Sequence, residues 1–260
     1  MPTLPSLFIS HGSPMHAVNA GAAGVVWAAL AEKLPRPKAV LMVTAHWETR
    51  LPTFSGSATP PMIYDFGGFP EALYRINYPA PGAPTVALRA QSLLTAAGID
   101  AGIDHQRGFD HGTWVPLLKM YPNADIPIVQ LSVQTAMSAK HHLDVGRALA
   151  PLADEGVLIV GSGHLTHNLR DWMQSANIAT PLAYATKFQE WVYQRLIVQD
   201  EDALCRYRQL SPDAARAHPS EEHFLPLLVA VGAAKKGVGV ARLYAGFEGA
   251  ALAMDVYRFG

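Results

Sequence analysis

The sequence predicts an α/β fold, namely a three-layer α/β/α domain with a central, mainly parallel (mixed) sheet. Three observations predict it. Short apolar runs bounded by Gly, Pro or polar residues recur as strand candidates, segments of helical composition separate them, and strand and helix alternate along the chain. Alternation of this kind favours a parallel sheet with helices on both faces. We expect a single catalytic domain over residues 1–260, a length that buries a sizeable core.

The predicted elements follow one another in this order. The first strand, 4–9, leads through a helix at 24–33 to a second strand at 39–44. Three further strands and two amphipathic helices follow, with strands at 99–104, 126–132 and 157–161 and helices at 85–97 and 139–155. The last third predicts helices at 181–204 and 222–234, and then a strand pair that adds to the same sheet, at 238–245 and 250–258.

Composition excludes several functions. With a net charge of −1 and 16% charged residues, the chain has no basic excess for a nucleic acid. No apolar run approaches the roughly 20 residues that cross a bilayer, and residues 1–5 lack the cationic start of a secretion signal. The lone Cys205 excludes an internal disulfide, and we expect an inert thiol in a cytoplasmic protein.

A long segment at 59–82 is rich in Pro, Gly and aromatic residues. A loop of this length in a domain is typically a lid or a binding loop, and its aromatic content argues against disorder. Gly67 and Gly68 give it the backbone freedom of a closing lid. The candidate walls of an aromatic substrate pocket are Trp47, Tyr64, Phe66, Phe69 and Trp114.

The 11 histidines carry the strongest functional signal. His11 and His46 each come just after a predicted buried strand, and His167 follows a third. His223 opens a predicted helix, and His111 lies in the segment 108–114. Because ligands of open α/β sheets bind beyond the carboxyl ends of the strands, these side chains predict a metal site assembled from distant segments.

The remaining histidines have weaker contexts. His141 and His142 lie on a predicted surface helix and His218 in a polar loop, so we expect them to be solvated. His105 and His164 lie within a few residues of site candidates and are reserves for a supporting role. His16 is not assigned to the site.

Several motifs occur together in one order along almost the whole chain. They are Ser10-His11-Gly12-Ser13-Pro14, Ala45-His46-Trp47, Tyr64-Asp65-Phe66-Gly67-Gly68-Phe69-Pro70, Tyr78-Pro79-Ala80-Pro81-Gly82, Gly108-Phe109-Asp110-His111-Gly112-Thr113-Trp114, His167-Asn168-Leu169 and Glu222-His223-Phe224-Leu225-Pro226-Leu227. In these motifs the chain resembles the DOPA 4,5-extradiol dioxygenase family, a branch of the class III (LigB-type) extradiol ring-cleavage dioxygenases.

The resemblance implies roles for individual residues. His11, His46 and His223 match the family's metal ligands, and His167 matches an active-site histidine on or next to the metal. His111 matches a histidine near the oxygen-binding position. Most class III enzymes use two histidines and a glutamate, so a ligand role for Glu222 stays open.

Asp110 is a candidate to orient a ligating imidazole, since such rings usually donate their second N–H to a carboxylate. The same residue is also placed to be a helix N-cap before Gly112-Thr113-Trp114. Both interpretations stay open at this stage.

The expected cofactor is one divalent ion, Zn²⁺ or Fe²⁺, because imidazoles suit both metals. Ring cleavage requires Fe²⁺, since Zn²⁺ has no redox chemistry. The implied reactants are O₂ and a small catechol such as DOPA, which gives a ring-opened semialdehyde with His167 as the base and His111 as its catalytic partner. Two alternatives are a zinc hydrolase with Glu221 or Glu222 as general base, and a binding module without activity on the same fold. The absence of a His-Glu-x-x-His motif weakens the hydrolase.

Overall fold

The computed structural model describes residues 3–260; Met1 and Pro2, which belong to the segment examined for a secretion signal, lie outside the described residues. Its strands are β1 (Ser6–Ser10), β2 (Ala39–Glu48), β3 (Thr53–Ser55), β4 (Gly102–Asp104), β5 (Ile128–Val133), β6 (Val157–Gly163), β7 (Val240–Tyr244), β8 (Phe247–Glu248), β9 (Leu252–Ala253) and β10 (Val256–Phe259). Eight of them form one sheet in the order β4-β3-β5-β2-β6-β1-β10-β7, and β8 pairs with β9.

The middle of this sheet is parallel. β5, β2, β6 and β1 run side by side in one direction, whereas β3 pairs antiparallel with β5 and β10 pairs antiparallel with β1 and β7. The carboxyl ends of the four parallel strands therefore meet at one edge, and the residues that follow them are brought together.

Helices cover both faces. They are α1 (Gly21–Lys33), α2 (Glu71–Tyr74), α3 (Pro84–Ala96), α4 (His111–Met120), α5 (Ala139–Leu149), α6 (Pro151–Asp154), α7 (Leu169–Gln174), α8 (Ala183–Ile197), α9 (Glu201–Cys205), α10 (Tyr207–Leu210), α11 (Ala214–Ala217) and α12 (Leu225–Ala233). Alternate residues of β2 enter different cores, with Leu41 and Val43 packed on one face and Val40 and Met42 on the other. Burial on both faces explains the continuous apolar run of this strand and confirms the predicted three-layer fold.

The strand predictions are confirmed with shifted boundaries. β2 extends four residues beyond the predicted end at Thr44, so His46 lies inside the strand and not after it. The strand pair of the last third joins the main sheet as β7 and β10, but the residues between them form the separate β8–β9 hairpin.

Two predicted helices are interrupted. Residues 139–155 form α5 and α6, because Pro151 lacks the N–H that would continue the first helix. Residues 181–204 divide near Gln199, whose φ of 54° is incompatible with a continuing helix. No helix within residues 3–260 is long and apolar enough to span a membrane.

Candidate metal centre

Two parallel strands deliver the first two histidines. His11 directly follows β1, and its backbone N–H donates a 3.0 Å hydrogen bond to the carbonyl of Gly163 at the end of β6. His46 lies two residues before the end of β2. The distance between Nε2 of His11 and Nε2 of His46 is 3.0 Å. The edge of the sheet therefore holds these two imidazoles with their Nε2 atoms toward each other, the ring planes inclined at 55°.

The third histidine arrives from the turn before α12. The carbonyl of His223 accepts a 2.9 Å hydrogen bond from the N–H of His164, and a Cβ atom on Gly163 would lie 2.1 Å from that same carbonyl oxygen. A glycine at position 163 is therefore required for the turn to approach β6. Together, His11, His46 and His223 offer three ligand atoms that lie within 4.8 Å of one another.

The hydrogen bonds fix which nitrogen of His11 is free. Nδ1 of His11 lies 3.0 Å from the hydroxyl of Ser162, and that hydroxyl donates its own proton to the carbonyl of Gly112. The hydroxyl must therefore accept from Nδ1–H, which leaves Nε2 of the neutral ring with a bare lone pair.

His46 and His223 have the same arrangement. Nδ1 of His223 donates a 2.9 Å hydrogen bond to Glu222, and Nδ1 of His46 faces Oδ2 of Asp65 at 3.3 Å. A carboxylate only accepts, so Nδ1 of His223 carries the proton and its Nε2 is bare; the charge of Asp65 beside Nδ1 of His46 favours the same tautomer in that ring. Nε2 of His223 is also buried, with no hydrogen-bond partner among the described residues.

Three bare nitrogens pointing at one another fit a metal ion. Without a cation, two lone pairs at 3.0 Å would repel each other, and the buried Nε2 of His223 would be unsatisfied. Two nitrogens bound at about 2.1 Å to one ion lie about 3.4 Å apart at the tetrahedral angle and about 3.0 Å apart at 90°, so the observed separation is close to that of two ligands of one ion. The donor set therefore fits a divalent ion such as Zn²⁺ or Fe²⁺.

The imidazoles are neutral, as metal ligands must be. Burial, with the neighbouring imidazoles, lowers the pKa of His11 and of His223 well below the usual range. Burial and the adjacent His111 lower the pKa of His46 to about 3. All three rings are therefore available for a cation at neutral pH.

His167 lies beside the three ligand candidates. Its ring stacks on that of His223, with a centroid distance of 3.5 Å and an interplanar angle of 13°. Within residues 3–260 the mutually close donor set that contains His11 and His46 includes His223 and not His167. Burial, with the nearby His111, lowers the pKa of His167 to about 4, so the neutral ring has a lone pair ready for a proton.

His111 is the first residue of α4, and its ring centroid lies 4.0 Å from that of His46. The residue that links the two is Asp65, which the sequence analysis did not select. Oδ1 of Asp65 lies 3.0 Å from Nδ1 of His111 and accepts a 2.9 Å hydrogen bond from the backbone N–H of His111. Burial raises the pKa of Asp65, but His111 and His46 outweigh it and hold the pKa at about 2. The sequence feature that could have identified Asp65 is its position as an acidic residue between two aromatic residues, Tyr64 and Phe66, in the long loop.

The structure corrects the role predicted for Asp110. Its buried carboxylate accepts hydrogen bonds from Thr44, Arg107 and Gln130, and none from an imidazole of the described residues. Although Asp110 occupies the N-cap position of α4, its side chain makes no capping hydrogen bond. Through Thr44 and Arg107, which bond the backbone of His46, it supports the strand and does not orient a ring.

Four of the five predicted pocket aromatics form one cluster. Tyr64, Phe66, Phe69 and Trp114 make ring contacts at centroid distances of 5.4 to 6.2 Å, and Phe66 meets His111 edge-on at 5.7 Å. Trp114 is fully buried, so it packs against the other rings of the cluster and does not line an accessible pocket.

Trp47 lies apart from this cluster. It packs under the guanidinium of Arg107, which lies 5.0 Å from the ring centroid.

Two of the other histidines differ from their predicted settings. His142 and His218, which we expected to be solvated, are 1% and 0% exposed. His142 accepts a hydrogen bond from the backbone N–H of Gln134, and His218 donates a hydrogen bond to the carbonyl of Leu165. His164, a reserve, accepts the N–H of Gly12 at 3.0 Å and so fixes the loop after His11. His105 is exposed and lies outside the cluster.

A three-histidine centre at the carboxyl edge of a mixed α/β sheet, flanked by two further histidines and an aromatic cluster, defines a metalloenzyme class. The family described as "Catalytic LigB subunit of aromatic ring-opening dioxygenase" matches residues 5–253. The chain belongs to this family, and it is an extradiol-type ring-opening dioxygenase that acts on a small aromatic substrate and O₂.

Individual relatives agree with this assignment. The chain is 44% identical over 234 residues to a 4,5-DOPA dioxygenase extradiol of Escherichia coli K12, a match that covers 88% of this chain and 85% of the relative. It is 40% identical to a protein of the same description from Beta vulgaris, over 98% of this chain and 96% of the relative. A crystal structure of an uncharacterized protein from Escherichia coli K12 superimposes with a TM-score of 0.84 at 36% identity, covering 99% of this chain and 100% of the other.

Proposed function

We propose that this protein cleaves the ring of a catechol beside its two hydroxyl carbons, with Fe(II) held by His11, His46 and His223. The observation that carries the proposal is the convergence of three bare Nε2 atoms, one of them buried without a partner. Iron is the proposed metal because bound Fe(II) supplies the redox chemistry that couples O₂ to the catechol, which Zn²⁺ lacks. DOPA is the proposed substrate, since relatives carry that substrate in their descriptions.

The residues around the centre supply acid–base chemistry. His167 takes the proton of a catechol hydroxyl, for which its neutral ring and its stacking on His223 suit it. His111 donates a hydrogen bond or a proton on the oxygen side of the site. It lies against both His46 and Phe66, so it faces the metal site and the aromatic cluster at once.

The aromatic cluster binds the flat ring of the substrate and excludes water. Phe66 and Phe69 are half-buried, so their rings are accessible to a ligand as well as to each other. The segment carries Gly67 and Gly68, both exposed, and Gly68 has a φ of 75°. These two glycines give the tip that follows Phe66 its freedom to close over a substrate.

The same contacts argue against a zinc hydrolase. The hydrolase hypothesis assigned the general base to Glu221 or Glu222, but Glu222 is engaged by His223 and Ser220. Glu221 accepts a 2.6 Å hydrogen bond from the hydroxyl of Tyr207.

The single thiol, Cys205, whose pKa burial raises to about 11, suits a reducing compartment, and we propose a cytoplasmic location.

The test is anaerobic reconstitution with Fe(II), followed by O₂ uptake with DOPA, dopamine and protocatechuate. The proposal expects one O₂ consumed per catechol and a yellow semialdehyde with at least one of these substrates. The same protein loaded with Zn²⁺ should consume no O₂. His105→Ala, an exposed histidine outside the cluster, is the matched control and should retain activity. Full iron occupancy without O₂ uptake or yellow product for any of the three would refute the proposal.

A further inference from the structure

Asp65 contacts two histidines that belong to different parts of the site. One oxygen, Oδ2, lies 3.3 Å from Nδ1 of His46, and the other, Oδ1, lies 3.0 Å from Nδ1 of His111. Oδ1 also accepts the backbone N–H of His111, the first residue of α4. One carboxylate therefore faces a metal-ligand candidate and a catalytic candidate at the same time.

The backbone before Asp65 is firmly held. Phe109 forms a β-bridge with Met62, donates its N–H to the carbonyl of Pro61 at 2.8 Å, and accepts the N–H of Ile63 at 2.7 Å. The indole of Trp114 donates to the carbonyl of Ile63. The exposed glycines begin only two residues after Asp65, so the carboxylate lies at the last fixed position before the free tip of the loop.

The charge of the carboxylate favours one tautomer in each ring. The two Nδ1 atoms lie close to Asp65 without the alignment of hydrogen bonds, and Nδ1 of His111 is buried with no hydrogen-bond partner among the described residues. Because a carboxylate oxygen only accepts, it attracts a proton on the Nδ1 that faces it and would repel a lone pair there, so the Nδ1–H tautomer with a bare Nε2 is the favoured form of both rings. For His46 the bare nitrogen faces His11 and the metal site. In His111 the same tautomer leaves Nε2 free. This nitrogen can accept a proton and then donate it on the oxygen side of the site.

We propose that Asp65 is a positioning residue that orients His46 for the metal and His111 for the reaction through one carboxylate, and so couples metal binding to turnover. A carboxylate is needed because two acceptor oxygens serve two rings. An asparagine has one acceptor oxygen and presents N–H groups at the other position, so it serves only one of the two histidines.

The first test measures metal affinity. Asp65→Ala should bind Zn²⁺ about tenfold or more weakly than wild type in competition with a chromophoric chelator, since partners of ligating histidines typically contribute 10- to 100-fold. Glu71→Ala, an exposed acid in the same loop segment, is the matched control and should bind as wild type does. This arm does not depend on the proposed reaction, so its failure is distinct from failure of the proposed function.

The second test measures turnover and rests on the proposed function. In Fe(II)-loaded protein at saturating metal, Asp65→Ala should lower kcat about 10- to 100-fold with little change in KM. In the His111→Ala background the same substitution should change kcat much less, because the histidine through which Asp65 affects turnover is already absent. Equal effects in both backgrounds would overturn the His111 arm of the proposal.

A third measurement does not depend on a variant that must fold. The ¹⁵N chemical shifts of the histidine rings in Zn²⁺-loaded wild type should show Nδ1–H tautomers for His46 and His111. Nε2–H tautomers for both rings, or wild-type Zn²⁺ affinity and kcat in Asp65→Ala, would overturn the proposal. An unchanged unfolding midpoint of metal-free Asp65→Ala alongside the losses supports positioning over a general structural role.

Discussion

Oε1 of Glu222 accepts a 2.9 Å hydrogen bond from Nδ1 of His223, the next residue in the chain. Ser220 donates to the same oxygen at 3.0 Å. The glutamate that could have been the third ligand therefore holds the ring of the histidine that we propose for that position. A carboxylate that accepts a hydrogen bond from Nδ1 also increases the basicity of Nε2, the nitrogen that faces the metal site.

Glu222→Gln tests this relationship. The amide keeps an acceptor oxygen but loses the charge, so Zn²⁺ affinity should fall about tenfold while one equivalent of metal still binds. Chelator competition measures the affinity, and elemental analysis measures the content. Complete loss of metal, as expected for His223→Ala, would mean that Glu222 is itself a ligand.

The ligand histidines and the catalytic histidine should separate by metal content. His11→Ala and His46→Ala each remove one of the three bare nitrogens, so both should lose the metal after dialysis. His111→Ala should keep one equivalent and lose turnover at least 100-fold, an order of magnitude typical of a lost acid–base group. Metal content equal to wild type in the first two variants would contradict the ligand assignment.

Gly163→Ala should damage the centre without changing a ligand. The added Cβ would lie 2.1 Å from the carbonyl oxygen of His223, so the turn that carries this ligand must move. We expect a loss of about 1–3 kcal/mol in the free energy of unfolding, typical of overpacking, and weaker metal binding. Gly239→Ala, where a Cβ meets nothing within 4 Å, is the control. Unaltered Zn²⁺ affinity in Gly163→Ala would show that the approach of the turn to β6 is not required.

The stability of the metal-free protein should fall in mild acid through His142. Burial lowers the pKa of His142 to about 4 from its usual 6.5, so the unfolded chain binds a proton there that the folded protein does not. The stabilisation is present above pH 6.5 and is lost as the pH falls toward 4, by about 2 kcal/mol between pH 8 and pH 5. Urea unfolding at pH 8 and pH 5 measures the fall in the free energy of unfolding. In His142→Gln this fall should be smaller than in wild type by about 2 kcal/mol. The exposed His105→Gln should behave as wild type, and equal losses in all three proteins would contradict this assignment.

Much of the fold could be predicted, because buried parallel strands are marked by short apolar runs that local sequence reveals. His11 was placed correctly, since it directly follows such a run. The end of β2 was missed because Thr44 and His46 are polar residues at a functional edge, where the apolar pattern stops before the strand does.

The supporting residues were harder to predict because their roles depend on contacts between distant segments. Asp110 is adjacent in sequence to His111 but points to Thr44 and Arg107, whereas Asp65 reaches His111 from 46 residues away. His142 and His218 look like surface residues in their local context, yet tertiary packing buries both. Sequence pattern reports which face of an element is apolar, but it does not report which loop crosses which strand end.

The central claim is that one divalent ion is bound by Nε2 of His11, His46 and His223. The most direct measurement is anomalous diffraction from metal-loaded crystals at the iron and zinc edges, with and without a catechol soaked in anaerobically. The account predicts one peak about 2.0–2.2 Å from each of the three Nε2 atoms in the iron-loaded crystal. A peak between Asp65 and His111, or bonded to Glu222 in place of His223, would contradict it.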